Sequence, residues 1–241
     1  MVSVHTLHYN FERVCHRLHT SIEKDVSAVD IDSYLNKAKN ILLNRYDQFI
    51  QINREFSKIL KDIEVHDKEL KLFKSNSEYS LYKLPDNYYN YLRVNLDVFT
   101  DKCTDRQAIR TTTYVTQDTL NETLKDSFRN PSWYFRRCLY TFVDDKIKIY
   151  HNSKYKIDNV KLSYIRWIPD VAAASLSIKG KYLLSDQKTV ITEDIGLDVS
   201  ERSIFWDRMV DIAAYLFKKD VDDNYKVDLE SYLFNQNLGV N

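Results

Sequence analysis

Lys161-Leu162-Ser163-Tyr164-Ile165-Arg166-Trp167-Ile168-Pro169 reads as a β-strand: leucine, aromatic and β-branched residues alternate in part with polar ones, and a proline closes the run. Residues 78–84, 109–115 and 146–150 share that character. Pro85 and Asp86 end the first of these, ahead of residues 87–93, which read as a short tyrosine-rich helix or turn. On both sides of this middle region the period changes. Residues 6–24 place Leu7, Phe11, Val14, Leu18 and Ile22 three or four apart, as one face of a helix does. The 33-residue run 31–63 repeats that spacing through Leu35, Ala38, Leu42, Tyr46, Phe49, Phe56, Leu60 and Ile63, with Asp30 or Asp32 available as its cap. As one helix it is a rod of about 50 Å. A short helix over 118–128 carries Leu120 and Leu124, and a closing helix from Ser200 and Glu201 buries Phe205, Met209, Ile212, Leu216 and Phe217.

Helix, then strands, then helix predicts an α+β domain. The expected architecture is a helical bundle made by the N- and C-terminal helices, with a central β-rich insert. Residues 1–68 would be helical, 69–170 the β-rich insert, and 200–241 the C-terminal helix and an arm.

Composition narrows the function. The chain has 241 residues, 44% hydrophobic and 29% charged, which suits a globular protein. No stretch approaches the roughly 18–20 apolar residues of a membrane span, and the N-terminal residues have no apolar core of the secretory kind. Three glycines stand where average usage predicts about 17. No glycine-rich phosphate cradle can be assembled from them. Lysine plus arginine balance aspartate plus glutamate at 35 each, so no global charge draws the chain to nucleic acid or acidic membranes. Residues 193–230 are locally acidic, with eleven acidic side chains against five basic ones. Cys15, Cys103 and Cys138 are odd in number and far apart, and read as free thiols.

No reaction centre emerges, so the chain is expected to be no enzyme and to bind no cofactor or metal. His8, Glu12, Cys15, His16 and His19 sit on the first predicted helix, with Cys15 and His19 four apart, but no second paired motif completes a zinc set. Asp220-Val221-Asp222-Asp223-Asn224 opens like a calcium loop, then places Tyr225 at the glycine position and Ser231 at the twelfth. Asp144-Asp145 has the composition of a turn, and Glu193-Asp194 forms a carboxylate pair with no identifiable opposite group. Arg136 and Arg137 lie among Trp133, Tyr134, Phe135 and Tyr140. Such a mixture can bind nucleic acid. The preferred reading sends alternate aromatics into the core and turns the arginines toward an acidic subunit neighbour.

A resemblance enters on four ordered segments. Ser33-Tyr34-Leu35-Asn36-Lys37-Ala38-Lys39-Asn40-Ile41-Leu42-Leu43-Asn44-Arg45-Tyr46 resembles the LNxAQ…xxxRY opening of crAss-like phage virion structural proteins. Leu84-Pro85-Asp86-Asn87-Tyr88-Tyr89-Asn90-Tyr91-Leu92-Arg93 is similar to their LPxDYxYLxR element, and Cys103 follows where they often carry a cysteine. Residues 162–169 resemble their LxYIRxP strand, with Trp167-Ile168 inserted. Residues 208–216 and then 220–226 resemble their terminal helix, although Asn224-Tyr225-Lys226 replaces its Arg-Tyr-Gln ending and Phe205-Trp206 stands where a histidine is common.

The resemblance spans residues 31–226 and implies a structural protein of the virion, assembled in the host cytoplasm. Its place would be the head-to-tail junction, as a connector or adaptor ring, twelve-fold, docked on the portal protein and extending the DNA channel. Double-stranded DNA would pass through the lumen without sequence-specific contact during genome ejection, and further tail or ring proteins would mount below. On this reading Tyr46, Phe49, Arg136 and Arg137 make inter-subunit contacts. Tyr225, Leu229, Tyr232, Leu233 and Phe234 anchor an arm reaching the portal or a neighbouring subunit. The competing expectations are another tail-hub or collar ring component and, from a different class, a metal-dependent hydrolase built on an acidic cluster.

Overall fold

The computed structural model describes residues 1–18, 26–44, 56–100, 103–109, 111–176, 182–183, 190–191 and 193–221. Among them the chain runs α1 (Val4–Leu18), α2 (Ala28–Asn44), α3 (Phe56–Leu60), β1 (Glu64–Glu69), β2 (Lys71–Ser75), β3 (Tyr79–Lys83), β4 (Tyr88–Thr100), β5 (Cys103–Ile109) and β6 (Thr111–Tyr114). It continues through α4 (Gln117–Lys125), β7 (Arg137–Val143), β8 (Lys146–Tyr150), β9 (Lys156–Arg166), a 3₁₀ turn at Ala174–Leu176, β10 (Tyr182–Leu183), β11 (Val190–Ile191) and α5 (Ile204–Val221). Two compact units result: one from Met1–Asp62 with Ile168–Asn241, the other from Ile63–Trp167.

The middle unit is a β-sandwich. One sheet has the order β1-β9-β4-β5 and the other β2-β3-β8-β7-β6. Every pairing in them is antiparallel except β6 with β7, which α4 joins as a crossover. Inward residues of both sheets share one core. Val94, Leu96, Val98, Val160, Leu162 and Tyr164 come from the first sheet, and Tyr82, Cys138, Tyr140, Ile147 and Ile149 from the second. Between them lies a pile of rings, in which Tyr91 meets Phe142 at 5.1 Å and Tyr140 at 6.1 Å. The chain changes sheets at Leu70, between β1 and β2, and the Leu70 N–H donates to Val160 O at 2.9 Å.

In the other unit Phe217 of α5 takes the edges of Phe11 from α1, at 5.8 Å, and of Tyr34 from α2, at 5.6 Å. Extended chain also runs through this unit, and side chains of α2 hold its backbone. Asn36 Oδ1 accepts from the Val171 N–H and Asn36 Nδ2 donates to Val171 O, both at 2.9 Å. One turn earlier Asp32, fully buried, accepts from the Ala173 N–H at 2.8 Å and from His8 Nε2 of α1 at 2.7 Å. One turn later Lys39, also fully buried, donates to Ile168 O at 3.1 Å and to Asp170 at 2.5 Å. Burial pushes the Lys39 ammonium below its ordinary pKa, and Asp170 opposes that shift. The intervening residue Ala172 turns the other way and exchanges two backbone hydrogen bonds with Ile195. A buried extended segment is thus satisfied on one side by a strand-like partner and on the other by a helix face.

Several expectations are corrected here. The fold is mixed α/β with a β-rich core, not a helical bundle around an insert. The β structure begins at Glu64, and the helical unit is laced with extended chain that a bundle would not hold. The run 31–63 does not end as helix, since residues 61–63 form a turn. Residues 88–93 belong to β4, paired with β9, and are neither a short helix nor a turn; only residues 86–87 form a turn. Ser27 caps α2 by accepting from the Asp30 N–H at 3.2 Å, which leaves Asp32 to the core.

Two substitutions probe the helical unit. Asn36→Ala strands the Val171 N–H and C=O and should cost about 2–4 kcal/mol in urea unfolding. Gly196→Ala would place a Cβ 2.4 Å from Val2 O, where Val2 and Leu197 exchange backbone hydrogen bonds. It should cost about 1–3 kcal/mol, read as a lowered Tm.

Candidate docking surfaces

The segment joining α4 to β7 is held by local hydrogen bonds that present aromatic residues to solvent. Asp126 accepts from the Phe128 N–H through its side chain and from the Arg129 and Asn130 N–H groups through its carbonyl. Further on, Ser132 and Arg137 exchange backbone hydrogen bonds around a turn in which the Arg136 N–H donates to Trp133 O. Arg136 takes a φ of 48° to close it. Trp133 packs against the sandwich core, so the next two side chains stand at the tip. Tyr134 is 85% exposed and Phe135 57%, ring against ring at 5.2 Å, and Phe128 is 77% exposed. Of the aromatics expected to enter the core alternately, Trp133 and Tyr140 pack inward, and Tyr134 and Phe135 are both exposed.

Arg136 is exposed on that turn, while Arg137 begins β7. Arg137 and Arg129 line an open cleft of about 530 Å³ with Tyr114, Thr113, Thr119 and Thr123. Arg129 also meets Asp126 at 3.4 Å. Apolar rings beside guanidinium groups are the side chains that dominate protein interfaces.

A second surface lies at β2, an edge of the five-stranded sheet, whose five residues are all exposed. Next to it is a pocket of about 410 Å³ lined by Leu72, Ser80, Tyr82, His151, Tyr155 and Ile157, among others. Ser80 Oγ lies 3.2 Å from His151 Nε2, a spacing that invites a nucleophile–base reading. Ser80 Oγ also bonds Ser75 Oγ at 2.7 Å, and the Ser153 N–H donates to His151 Nδ1 at 3.4 Å.

The other sequence candidates are spoken for within the fold or lie beyond the described residues. Cys15 is buried, with its thiol pushed up to about 12 by desolvation and then Glu12. Among the described residues no group of three or more His, Cys, Asp and Glu side chains is placed to hold a metal ion. Asp220 accepts from the Tyr34 hydroxyl at 3.0 Å. Hydrogen bonds from Ser175, and then His5 at 3.0 Å, hold Asp194 below the usual carboxylate range. Asp144, at a φ of 51°, turns β7 into β8. Tyr46, Phe49, Tyr225, Leu229, Tyr232, Leu233 and Phe234 lie outside the described residues. The exposed Phe128 and the edge residues Leu72 and Phe73 escaped sequence reading, and the exposure of Tyr134 and Phe135 did too, because composition does not reveal which side chain faces out. Among the described residues no helix is long and apolar enough to cross a membrane.

No family model matches the chain, and no curated protein matches it.

His151 should make the sandwich acid-sensitive. Burial disfavours its imidazolium and lowers its pKa, against a smaller opposing hydrogen bond at the Tyr79 backbone. Below the unfolded value of about 6.5 the unfolded chain therefore binds the proton more readily. Stability from this group is full above that pH and declines as pH falls through the lower folded value. Tm measured between about pH 7.5 and pH 5 should fall less steeply for His151→Asn than for the natural sequence.

Proposed function

We propose that this protein is a structural component of a phage virion, acting as a ring-forming connector at the head-to-tail junction. The observation that carries an assembly role is the hydrogen-bonded turn that holds Tyr134 and Phe135 in solvent beside Arg136. Exposed aromatic residues cost solubility unless something covers them, and a rigid turn presents them at little entropic cost on docking. The virion assignment rests on the four ordered segments. Some of their residues are ones the fold buries, among them Leu35, Asn36 and Ala38 in α2, Leu84, Leu162, Tyr164 and Ile165 in the sandwich, and Met209, Ile212 and Ala213 in α5. Such segments are the ones a shared fold would retain.

On this reading the role is mechanical. Copies join head to tail through one repeated heterologous contact, which closes into a ring of about twelve. The ring docks on the portal protein, continues the DNA channel and mounts the next tail component, without catalysis. The C-terminal arm, carrying Tyr225, Leu229, Tyr232, Leu233 and Phe234, reaches a neighbour or the portal.

Mass photometry and negative-stain imaging of the purified protein, alone and with its phage's portal, test this. A ring, or a monomer that becomes a ring on the portal, is the expected result; a monomer indifferent to the portal overturns it. The combined Tyr134→Ala, Phe135→Ala and Arg136→Glu variant should keep its Tm within the equivalent of about 0.5 kcal/mol yet weaken assembly about tenfold or more.

A further inference from the structure

We propose that β2 is a docking strand, and that residues 225–230 of a neighbouring copy add to it as one more strand of the five-stranded sheet. The inference rests on the oligomeric reading above and names one of its contacts. Among the described residues no strand pairs with the outer side of β2. An edge strand left open exposes a row of backbone donors and acceptors, a template for another chain. This one is also apolar in its middle, where Leu72 is 57% and Phe73 62% exposed. Lys146 lies over the Phe73 ring at 4.9 Å, and Leu72 forms part of the wall of the adjoining 410 Å³ pocket. Open edge, exposed apolar pair and neighbouring pocket are the elements by which sheets capture extended peptides: backbone bonds supply the hold, and alternate side chains enter the pocket.

Charge selects the occupant. Lys71 and Lys74 stand on the edge itself, and Lys156 lines the pocket. They disfavour a second β2, which would bring like charges together, and favour an acidic strand. The chain supplies one. Tyr225-Lys226-Val227-Asp228-Leu229-Glu230 alternates apolar and polar positions as a strand with one apolar face does, and residues 222–230 contain four acidic side chains against one basic. Six residues match a five-residue edge. Only residues 222–224 separate α5 from this strand, and the nine residues from Val221 to Glu230 span about 30 Å when extended, which sets the reach toward an adjacent copy.

Full-length Leu72→Cys and Leu229→Cys proteins, each on a Cys103→Ser background, would be mixed and treated with a short bis-maleimide. Cys15 and Cys138 are buried, with thiols pushed up to about 12, and should not compete. A covalent dimer is expected from the mixture and not from either variant alone. Lys71→Glu with Lys74→Glu in the first partner should cut its yield about fivefold to tenfold, and Asp228→Lys with Glu230→Lys in the second should restore it. Absence of the dimer in a sample that mass photometry shows to be oligomeric rejects the contact and leaves the ring reading standing. A double Leu72→Cys, Leu229→Cys protein that cross-links only within one chain rejects docking on a neighbour. A sample that stays monomeric alone and on the portal removes both.

Discussion

The fold depends on three polar side chains of one helix face. Asp32, Asn36 and Lys39 stand one turn apart on α2 and take up the backbone of residues 168–173, which would otherwise bury unpaired donors and acceptors. The match is specific in both directions. Asn36 offers a donor and an acceptor to the two groups of a single residue, as a neighbouring strand would. Asp32 ties the same segment to α1 through His8, so one carboxylate joins three pieces of chain. The alanines at 172–174 let the segment lie close to its partners, where larger side chains would hold it off. Buried polar groups of this kind favour one arrangement over others more than they add stability, because any shift in register leaves each of them unpaired.

The same residues show how far a sequence can be read. The apolar spacing of α1, α2 and α5 was legible because each helix buries apolar residues three and four apart. The polar face of α2 was not. Its partners lie more than a hundred positions away, and a buried lysine or aspartate looks like a solvated one until its neighbours are known. Strands β3, β8 and β9 announced themselves through β-branched and aromatic residues. The β1–β2 segment did not, since a largely exposed edge has no buried face to impose alternation. In β4 the pairing with β9 slips between Tyr88 and Asn90 and again between Tyr91 and Arg93, and those irregularities destroy the period of two where tyrosines suggested a helix or turn. Arg136 and Arg137 could be picked out by composition. That one joins an exposed turn and the other a cleft wall follows from a hydrogen-bonded turn no local pattern specifies.

The two candidate surfaces differ in what they could hold. The Tyr134 turn is closed by its own hydrogen bonds, and offers exposed rings and a guanidinium group to a partner that already has shape. The β2 edge offers backbone, and asks of its partner only an extended segment of suitable charge. A protein with both can meet a folded neighbour at one place and a tail at another, as assemblies built from repeated copies require.

The sandwich begins and ends at the same place. The Arg166 N–H donates to Ile63 O at 2.9 Å, so the two ends of residues 63–167 lie one hydrogen bond apart. Once the sandwich has formed, the chain leading into it and the chain leaving it are already side by side. For the helical unit, whose α2 must find residues 168–173 across that interval, this removes most of a loop-closure cost of about 4 kcal/mol. The middle of the chain thus acts as a clasp for its ends. Loosening the sandwich would return that entropy to the unfolded helical unit, with no contact in the helical unit itself altered.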